Sequence, residues 1–151
     1  MTNPLRTPED YELFLYSLAE QYSSIRRSTV SLIRRGASHA RVAGELYFDQ
    51  DIRLVVRERL VYDRLPVTID SYGYEVWRAE EKLYWYDSQP HPHEPRLQET
   101  HPHHKHLPPD IKHHRIPAPE MSFARPNLPA LVQEITHLLR KIVEETEAGD
   151  H

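Results

Sequence analysis

Apolar residues near the N-terminus recur every three or four positions, the spacing of one buried face of an α-helix. Thr7 is a suitable N-cap, Pro8 fits the first helical position, and two acidic residues follow in the first turn. The pattern breaks near Arg26 and Arg27. It predicts a helix over 8–27 whose buried stripe consists of Tyr11, Phe14, Leu15, Leu18, Tyr22 and Ile25.

The same spacing returns at the C-terminal end of the chain without interruption. Asn127 stands where a cap is expected, and Pro129 is tolerated in a first turn. The helix predicted over 127–147 fades into an acidic tail. Its apolar stripe consists of Leu128, Leu131, Val132, Ile135, Leu138, Leu139 and Ile142.

Between these helices, over 28–88, apolar and polar residues alternate, which predicts β-strands with one buried face. Tight turns separate consecutive strands, so the sheet is an antiparallel meander, because parallel pairing needs long crossovers. The fold class is therefore α+β, with about five strands flanked by the two helices. The predicted strands lie near 28–33, 42–48, 52–62, 67–78 and 83–87.

One charged residue breaks the alternation of the third predicted strand. Glu58 has the parity of the apolar positions, whereas Arg53, Arg57 and Arg59 have the other parity. A buried carboxylate must be hydrogen-bonded or paired. We expect Glu58 to be buried against a cationic or imidazole side chain, either as a structural pair or as a group that orients a histidine.

Composition places one unusual segment between the sheet and the last helix. Eight of the 11 histidines lie between His91 and His114, and ten of the 13 prolines lie between Pro90 and Pro129. Such a composition predicts an extended, proline-stiffened His/Pro-rich segment over 89–126 rather than general disorder. The whole chain, 1–151, is predicted to be a single domain.

Charge and cysteine content narrow the class of protein. The chain lacks cysteine, and its apolar runs are too short for a membrane span, so we expect a cytoplasmic protein without membrane contact. Net charge is −4, which is unfavourable for general nucleic-acid binding. Nine arginines against five acids over 26–64 nevertheless predict a locally basic face of the sheet.

The histidine cluster is suited to acid–base chemistry near neutral pH. RNA cleavage needs a base for the 2′-hydroxyl proton, an acid for the leaving oxygen and cations for the phosphate charge. Arg57, Arg53, Tyr72 and Tyr74 are candidates for substrate binding, although such tyrosines more often pack within the sheet. The candidate catalytic residues are His91, His103, His104, His106, Lys105, Asp87 and Glu58.

Metal binding is the alternative use of the same histidines. His91 and His93, and likewise His104 and His106, have a spacing that places both rings on one side of an extended chain. These four residues could hold a divalent metal such as zinc. An established zinc-ligand spacing is lacking, so we expect no cofactor. In the simplest interpretation, the segment is a solvated loop that binds only adventitious ions.

Several short motifs make the chain resemble the TumE-type toxin family of prokaryotic toxin–antitoxin systems. They are Leu-Val-Val-Arg-Glu at 54–58, Tyr-Gly-Tyr at 72–74, Tyr-Asp-x-x-Pro-His at 86–91 and Pro-His-His-Lys-His at 102–106, followed by the amphipathic C-terminal helix. The resemblance implies a type II toxin partnered by a DNA-binding antitoxin. Many toxins of such pairs cut RNA, so it also implies RNA as a target by analogy of role.

The sequence therefore predicts a toxin-like protein, and a metal-independent ribonuclease that uses its histidine cluster is the enzyme we expect. Asp87, His91, His103, His104 and His106 are then expected around one concavity. The alternative is a non-enzymatic interaction or metal-binding protein that acts through the His/Pro-rich segment. Convergence of the histidines on a cleft favours the first interpretation, and scattered histidines favour the second.

Overall fold

The computed structural model describes residues 3–88, 103–107, 115–117 and 121–149. A 3₁₀ turn at Pro4–Arg6 leads into α1 (Pro8–Tyr16) and a short α2 (Leu18–Gln21). The Thr7 side chain accepts a hydrogen bond from the Asp10 backbone N–H, as expected of an N-cap.

The helix predicted over 8–27 is interrupted and ends early. Ser17 separates α1 from α2, and its hydroxyl donates to the Phe14 carbonyl in place of a continuing helical pattern. The chain leaves α2 at Gln21, before two serines, which compete for backbone hydrogen bonds and disfavour helix. Arg27 already belongs to the first strand.

A sheet in which all described neighbours pair antiparallel forms the centre of the fold. The first two strands both pair with the third, along different parts of its length, and the remaining strands follow in chain order. The strands are β1 (Arg27–Ser28), β2 (Ser31–Arg35), β3 (His39–Tyr47), β4 (Ile52–Val61), β5 (Thr68–Arg78), β6 (Glu81–Asp87), β7 (His104–His106) and β8 (Arg115–Pro117).

The chain between β1 and β2 crosses very close to β3. A Cβ placed on Gly44, whose φ is +145°, would lie 2.5 Å from the carbonyl oxygen of Thr29. Only glycine combines this backbone conformation with such a close approach. Gly44 therefore allows two consecutive strands to share one edge of the sheet.

The predicted α+β class and antiparallel sheet are confirmed, but the count of about five strands is wrong. The additional strands are short: β1 has two residues, and β7 and β8 have three each. Both β7 and β8 lie within the segment that was predicted to be irregular. Strands of this length are too short to show a period of two, and β7 forms because β6 offers an unpaired edge.

One face of the sheet, here called the inner face, packs against the helices. It carries Leu54, Val56, Leu60, Tyr74 and Val76, all essentially buried. The last helix, α3 (Leu128–Gly149), contributes the buried stripe expected from its sequence to the same core, including Leu131, Val132, Ile135 and Ile142. Its bounds lie close to the predicted 127–147.

The opposite side of the sheet, here called the outer face, carries the polar half of each alternating strand. The charged side chains of the central strands therefore lie mostly on the outer face.

Within the described ranges, neither the 3₁₀ turn nor any of α1–α3 is both long and apolar enough to cross a membrane.

Candidate active site

Two rows of side chains on the outer face enclose an open cleft. In the first row, the strand register aligns Ala43, Arg57, Gly73 and Asp87 across β3 to β6. The second row, two residues away along the strands, aligns Arg41, Arg59 and Ser71. All seven residues line a cleft of about 520 Å³, here called the outer cleft. Glu58 and Tyr72, which face each other between the two rows, also border it, although their side chains belong to the opposite, inner face.

The cleft exists because small residues occupy its floor. Gly73 lies between Arg57 on β4 and Asp87 on β6, and a Cβ at this position would meet Nη2 of Arg57 at 3.4 Å. Glycine inside a strand weakens the sheet and often marks the approach of a ligand or another backbone. Ala43 and Ser71 also keep the floor low, so long side chains form only the walls.

The positive charge of the outer cleft is poorly neutralised within the described structure. Arg41 and Arg59 lie directly opposite each other on β3 and β4, an arrangement that is destabilising for like charges. Among the described residues, neither forms an ion pair. Arg57 binds Glu75 at 3.1 Å, yet its side chain is 66% exposed. The cleft thus offers guanidinium groups to an anion.

A carboxylate–imidazole pair lies at one end of the outer cleft. Oδ2 of Asp87 is 2.9 Å from Nε2 of His106, and the His106 ring packs on Trp85 with centroids 4.5 Å apart. The Asp87 side chain is 21% exposed and lines the cleft, whereas that of His106 is 3% exposed. His106 therefore lies behind Asp87, and Asp87 is the member of the pair that faces the cleft.

His103 contacts a different group. Its Nδ1 lies 2.5 Å from the Tyr72 hydroxyl, and the two rings are stacked. Burial raises the pKa of Tyr72, and the negative charge of Asp87 raises it further, so Tyr72 stays a neutral phenol. By strand alternation Tyr72 shares the inner face with Tyr74, on which its ring stacks, so His103 contacts a residue of the inner face while Asp87 lies on the outer face.

Lys105 points away from this site. Its Nζ lies 3.4 Å from Glu134 of α3 and 4.3 Å from the centroid of the Tyr84 ring. Residues 105 and 106 point to opposite faces because neighbours in a strand alternate. Lys105 therefore lies apart from Asp87 and His106, and its predicted catalytic role stays a prediction.

Glu58 is buried, as predicted, but its predicted partner is wrong. Its carboxylate accepts hydrogen bonds from the hydroxyls of Tyr11 and Tyr74, not from a cation or an imidazole. Tyr74 in turn accepts from Nδ2 of Asn127 at 3.0 Å. These four residues, here called the Glu58 network, connect α1, the sheet and the start of α3 on the inner face.

Burial is the main cause of the pKa shifts of the ionisable residues in the Glu58 network. It raises the pKa of Glu58 despite the two hydroxyl donors, which act in the opposite direction. Burial and then the charge of Glu58 raise the pKa of Tyr11 and of Tyr74, so both phenols remain donors. Asn127, predicted as a helix cap, also binds the backbone of Ser122 through both ends of its amide.

The residues proposed for substrate binding are separated by the structure. Arg57 lines the outer cleft, but Arg53 packs on Trp77 and binds Glu45 at 3.4 Å outside it. The hydroxyl of Tyr74 is engaged with Glu58, and its ring is fully buried. The structure adds Arg41, Arg59, Ser71 and Gly73 to the lining, although none of them was among the predicted site residues.

The remaining predicted residues are only partly described. The backbone of His104 pairs with that of Asp87 between β7 and β6. His91 and His93 lie outside the described residues, so their predicted convergence and metal ligation stay predictions. Among the side chains that are described, no three His, Asp or Glu residues form a group that could hold a metal ion.

Comparison with known families adds an independent observation. The family model described as "Toxin TumE" matches residues 15–139, most of the chain. The chain belongs to the TumE toxin family. No curated protein and no solved structure matches it significantly.

Membership of the TumE family supports a toxin-like function and, in general, an antitoxin partner. The matched segment includes every residue that lines the outer cleft, together with His103 and His106. Tyr11 of the Glu58 network precedes it. The outer cleft therefore lies entirely within the part of the chain that defines the family.

Proposed function

We propose that this TumE-family protein is the toxin of a type II toxin–antitoxin pair and that it cleaves RNA in the outer cleft. The observation that carries the proposal is the position of Asp87. Its carboxylate is held by His106 at 2.9 Å and faces a cleft whose walls include Arg41, Arg57 and Arg59. A proton acceptor beside guanidinium groups is the combination that phosphodiester cleavage requires.

The proposed chemistry is an internal transfer that needs no co-reactant. Asp87 takes the proton of the ribose 2′-hydroxyl, and the 2′-oxygen attacks the adjacent phosphorus. The bond from phosphorus to the 5′-oxygen breaks, and that oxygen takes a proton from a histidine. The products are a 2′,3′-cyclic phosphate and a 5′-hydroxyl. His91 and His104 are the candidates for this acid, since His103 contacts Tyr72 on the inner side of the sheet.

The other groups of the cleft have supporting roles. The guanidinium groups of Arg41, Arg57 and Arg59 bind the phosphate, and the planar geometry of arginine allows bidentate contacts. His106 is a positioning residue, because it is covered by Trp85 and, among the described residues, meets the cleft through Asp87. Glu58 is left out of this mechanism, since the core encloses its carboxylate.

Two parts of the proposal go beyond the cleft itself. We take the antitoxin to be a DNA-binding protein and the site of action to be the cytoplasm, where RNA is accessible. We also take the reaction to be independent of metal. The alternative, a zinc ion held by His91, His93, His104 and His106, would make activity depend on metal.

The test is an RNA-cleavage assay with purified protein, run with and without a chelator. Cleavage should survive the chelator and should fall by about 10²–10⁴ in the Asp87→Asn variant, the usual value of positioned acid–base catalysis. Asp49→Asn is the matched control, because Asp49 forms an exposed ion pair with Arg26 away from the cleft. Loss of cleavage with the chelator would support the metal alternative.

A third result would overturn the enzymatic proposal altogether. If the folded protein cleaves no RNA under either condition but binds a DNA-binding partner tightly, it is an interaction protein. The His/Pro-rich segment would then be the first region to examine for partner contacts.

A further inference from the structure

A second depression on the sheet adjoins the outer cleft near the β2–β3 hairpin. It has a volume of about 350 Å³ and is lined by Arg35, His39, Ala40, Arg41, Arg59 and Asp70. Arg41 and Arg59 line both depressions. We propose that this second depression, here called the hairpin cleft, binds the phosphates of a single RNA strand that continues from the outer cleft. This inference rests on the proposed function for the identity of the strand.

The strand register arranges the basic groups as a continuous track. Arg35 faces His39 across the hairpin, Arg41 faces Arg59 on the next pair of strands, and Arg57 follows on β4 towards Asp87. Two strand spacings of about 4.8 Å separate β2 from β4, and Arg57 lies four residues along β4 from the row of Arg35, so the basic track is roughly 17 Å long. It is therefore longer than one scissile phosphate needs.

The arginines of the track differ from neighbouring arginines in their partners. Arg26 binds Asp49 at 2.9 Å, and Arg34 binds Glu9 at 3.1 Å. Among the residues that the structure describes, Arg35, Arg41 and Arg59 form no ion pair. Their mutual repulsion is a cost to the fold that a bound polyanion would offset.

The shape of the track favours one strand over a duplex. The guanidinium groups follow one diagonal path from Arg35 on β2 to Arg57 on β4, which matches one row of phosphates. A duplex presents two rows and a rigid, wide surface. Single-strand-binding proteins commonly use a basic groove of this kind to follow the backbone. Asp70 is the one acid among the described residues that line the hairpin cleft, so it should weaken binding.

Arg34 and Arg35 provide a matched pair of variants. They are neighbours on β2, and both are exposed, but only Arg35 lines the hairpin cleft, whereas Arg34 is paired with Glu9. The measurement is fluorescence anisotropy of labelled RNA, made in the Asp87→Asn background so that the RNA stays intact. Two probes are used: a dinucleotide and a strand of about 12 nucleotides, a length within the range covered by single-strand-binding folds.

Arg35→Gln should weaken binding of the long strand about tenfold, as expected when one charge-assisted contact is lost. It should leave binding of the dinucleotide unchanged, and Arg34→Gln should leave both unchanged. The plot of log affinity against log salt concentration should become shallower, its slope decreasing in magnitude by about 0.7 for each arginine removed from the track. Asp70→Asn should shift affinity in the opposite direction and tighten binding of the long strand.

The outcomes separate this inference from the proposed function. Equal effects of Arg34→Gln and Arg35→Gln on the long strand, or no effect of either, would overturn the hairpin cleft as a strand site while leaving cleavage at Asp87 intact. If the wild-type protein does not cleave RNA but the Arg35 and Asp70 effects are seen, the cleft binds RNA and the proposed chemistry is wrong. Tighter binding of a polyglutamate peptide than of the RNA strand would show that the cleft recognises an acidic protein segment, and would also overturn the inference.

Discussion

Three consecutive residues of β4 show how the two faces of the sheet differ. Glu58 points to the inner face, where Tyr11 and Tyr74 hold its carboxylate and the core excludes water. Arg57 and Arg59 point to the outer face, where both are exposed beside a cleft. The inner charge is satisfied by the protein itself, whereas the outer charges are largely left for something else. Satisfied polar groups of this kind stabilise a fold, and unsatisfied ones indicate a binding site.

The difference explains why residues that look equally promising in the sequence have different roles. Glu58 and Asp87 are both acids with hydrogen-bonding partners, yet only Asp87 is accessible to a substrate. If the comparison is correct, substitutions on the outer face should change activity with little effect on stability. Substitutions in the Glu58 network should do the reverse. The predictions below test that separation, beginning with the largest expected effect.

The largest effect should come from His106. His106→Ala should reduce the rate of RNA cleavage by about 10²–10⁴, because Asp87 loses the group that orients it. His106→Gln, which can still donate a hydrogen bond to Asp87, should retain more activity and should shift the acid limb of the pH–rate profile. Rates and profiles are measured on variants whose folding is checked by circular dichroism. Wild-type rates in both folded variants would contradict the positioning role.

The second prediction concerns the contribution of the Glu58 network to the stability of the fold. Tyr74→Phe removes one of the two hydroxyls bound to Glu58 and should lower the free energy of unfolding by about 1.5–3 kcal/mol, the usual value of a hydrogen bond to a charged group. Tyr62→Phe is the matched control, since the Tyr62 hydroxyl binds the His39 carbonyl in an exposed position. Equal losses in urea denaturation for both variants would argue against a special role for the network.

The titration of Glu58 should make the free energy of unfolding depend on pH, in a direction that its pKa shift defines. Burial raises its pKa in the folded state, so the folded chain binds this proton more tightly than the unfolded chain does. Its contribution to stability is therefore fully present below the unfolded pKa of about 4.3 and is lost as pH rises through the folded value. The unfolding free energy of wild type minus that of Glu58→Gln should fall as pH rises from about 4, by no more than about 1.4 kcal/mol per pH unit. A difference that rises with pH would contradict this assignment.

A smaller effect is expected at the floor of the outer cleft. Gly73→Val places a side chain beside the Arg57 guanidinium, where a Cβ alone already comes within 3.4 Å. Cleavage should fall about tenfold, as expected when one charge-assisted phosphate contact is displaced. Stability should rise by about 0.5–1 kcal/mol, because glycine is unfavourable inside a strand. A variant that is both more stable and fully active would show that the floor does not need to be low.

The regular parts of the fold could be predicted from the sequence because their patterns are local. Alternation located Glu58 on the buried face, and the three–four spacing located α3. The partners of Glu58 could not be predicted in this way, because Tyr11 is 47 residues away and meets it only after α1 docks. The sequence therefore predicted that Glu58 is buried, but not which side chains bind its carboxylate.

The candidate site was harder to predict because it depends on register. Arg41 joins Arg59 only through the pairing of β3 with β4, and Asp87 reaches Arg57 only across Gly73. Lys105 was grouped with His106 by motif, but the three-residue strand β7 directs the two side chains to opposite faces. The histidine-rich motif indicated a region that the structure pairs with Asp87, without indicating which residues face the cleft.

The central claim, that chemistry lies on the outer face and structural support on the inner face, is tested most directly by comparing Asp87→Asn with Glu58→Gln. Both substitutions replace a carboxylate by an amide of nearly the same shape, and the measurement is the RNA-cleavage rate per folded molecule. The account predicts a loss of about 10²–10⁴ for Asp87→Asn and a rate close to wild type for Glu58→Gln. An active Asp87→Asn together with an inactive, fully folded Glu58→Gln would contradict it.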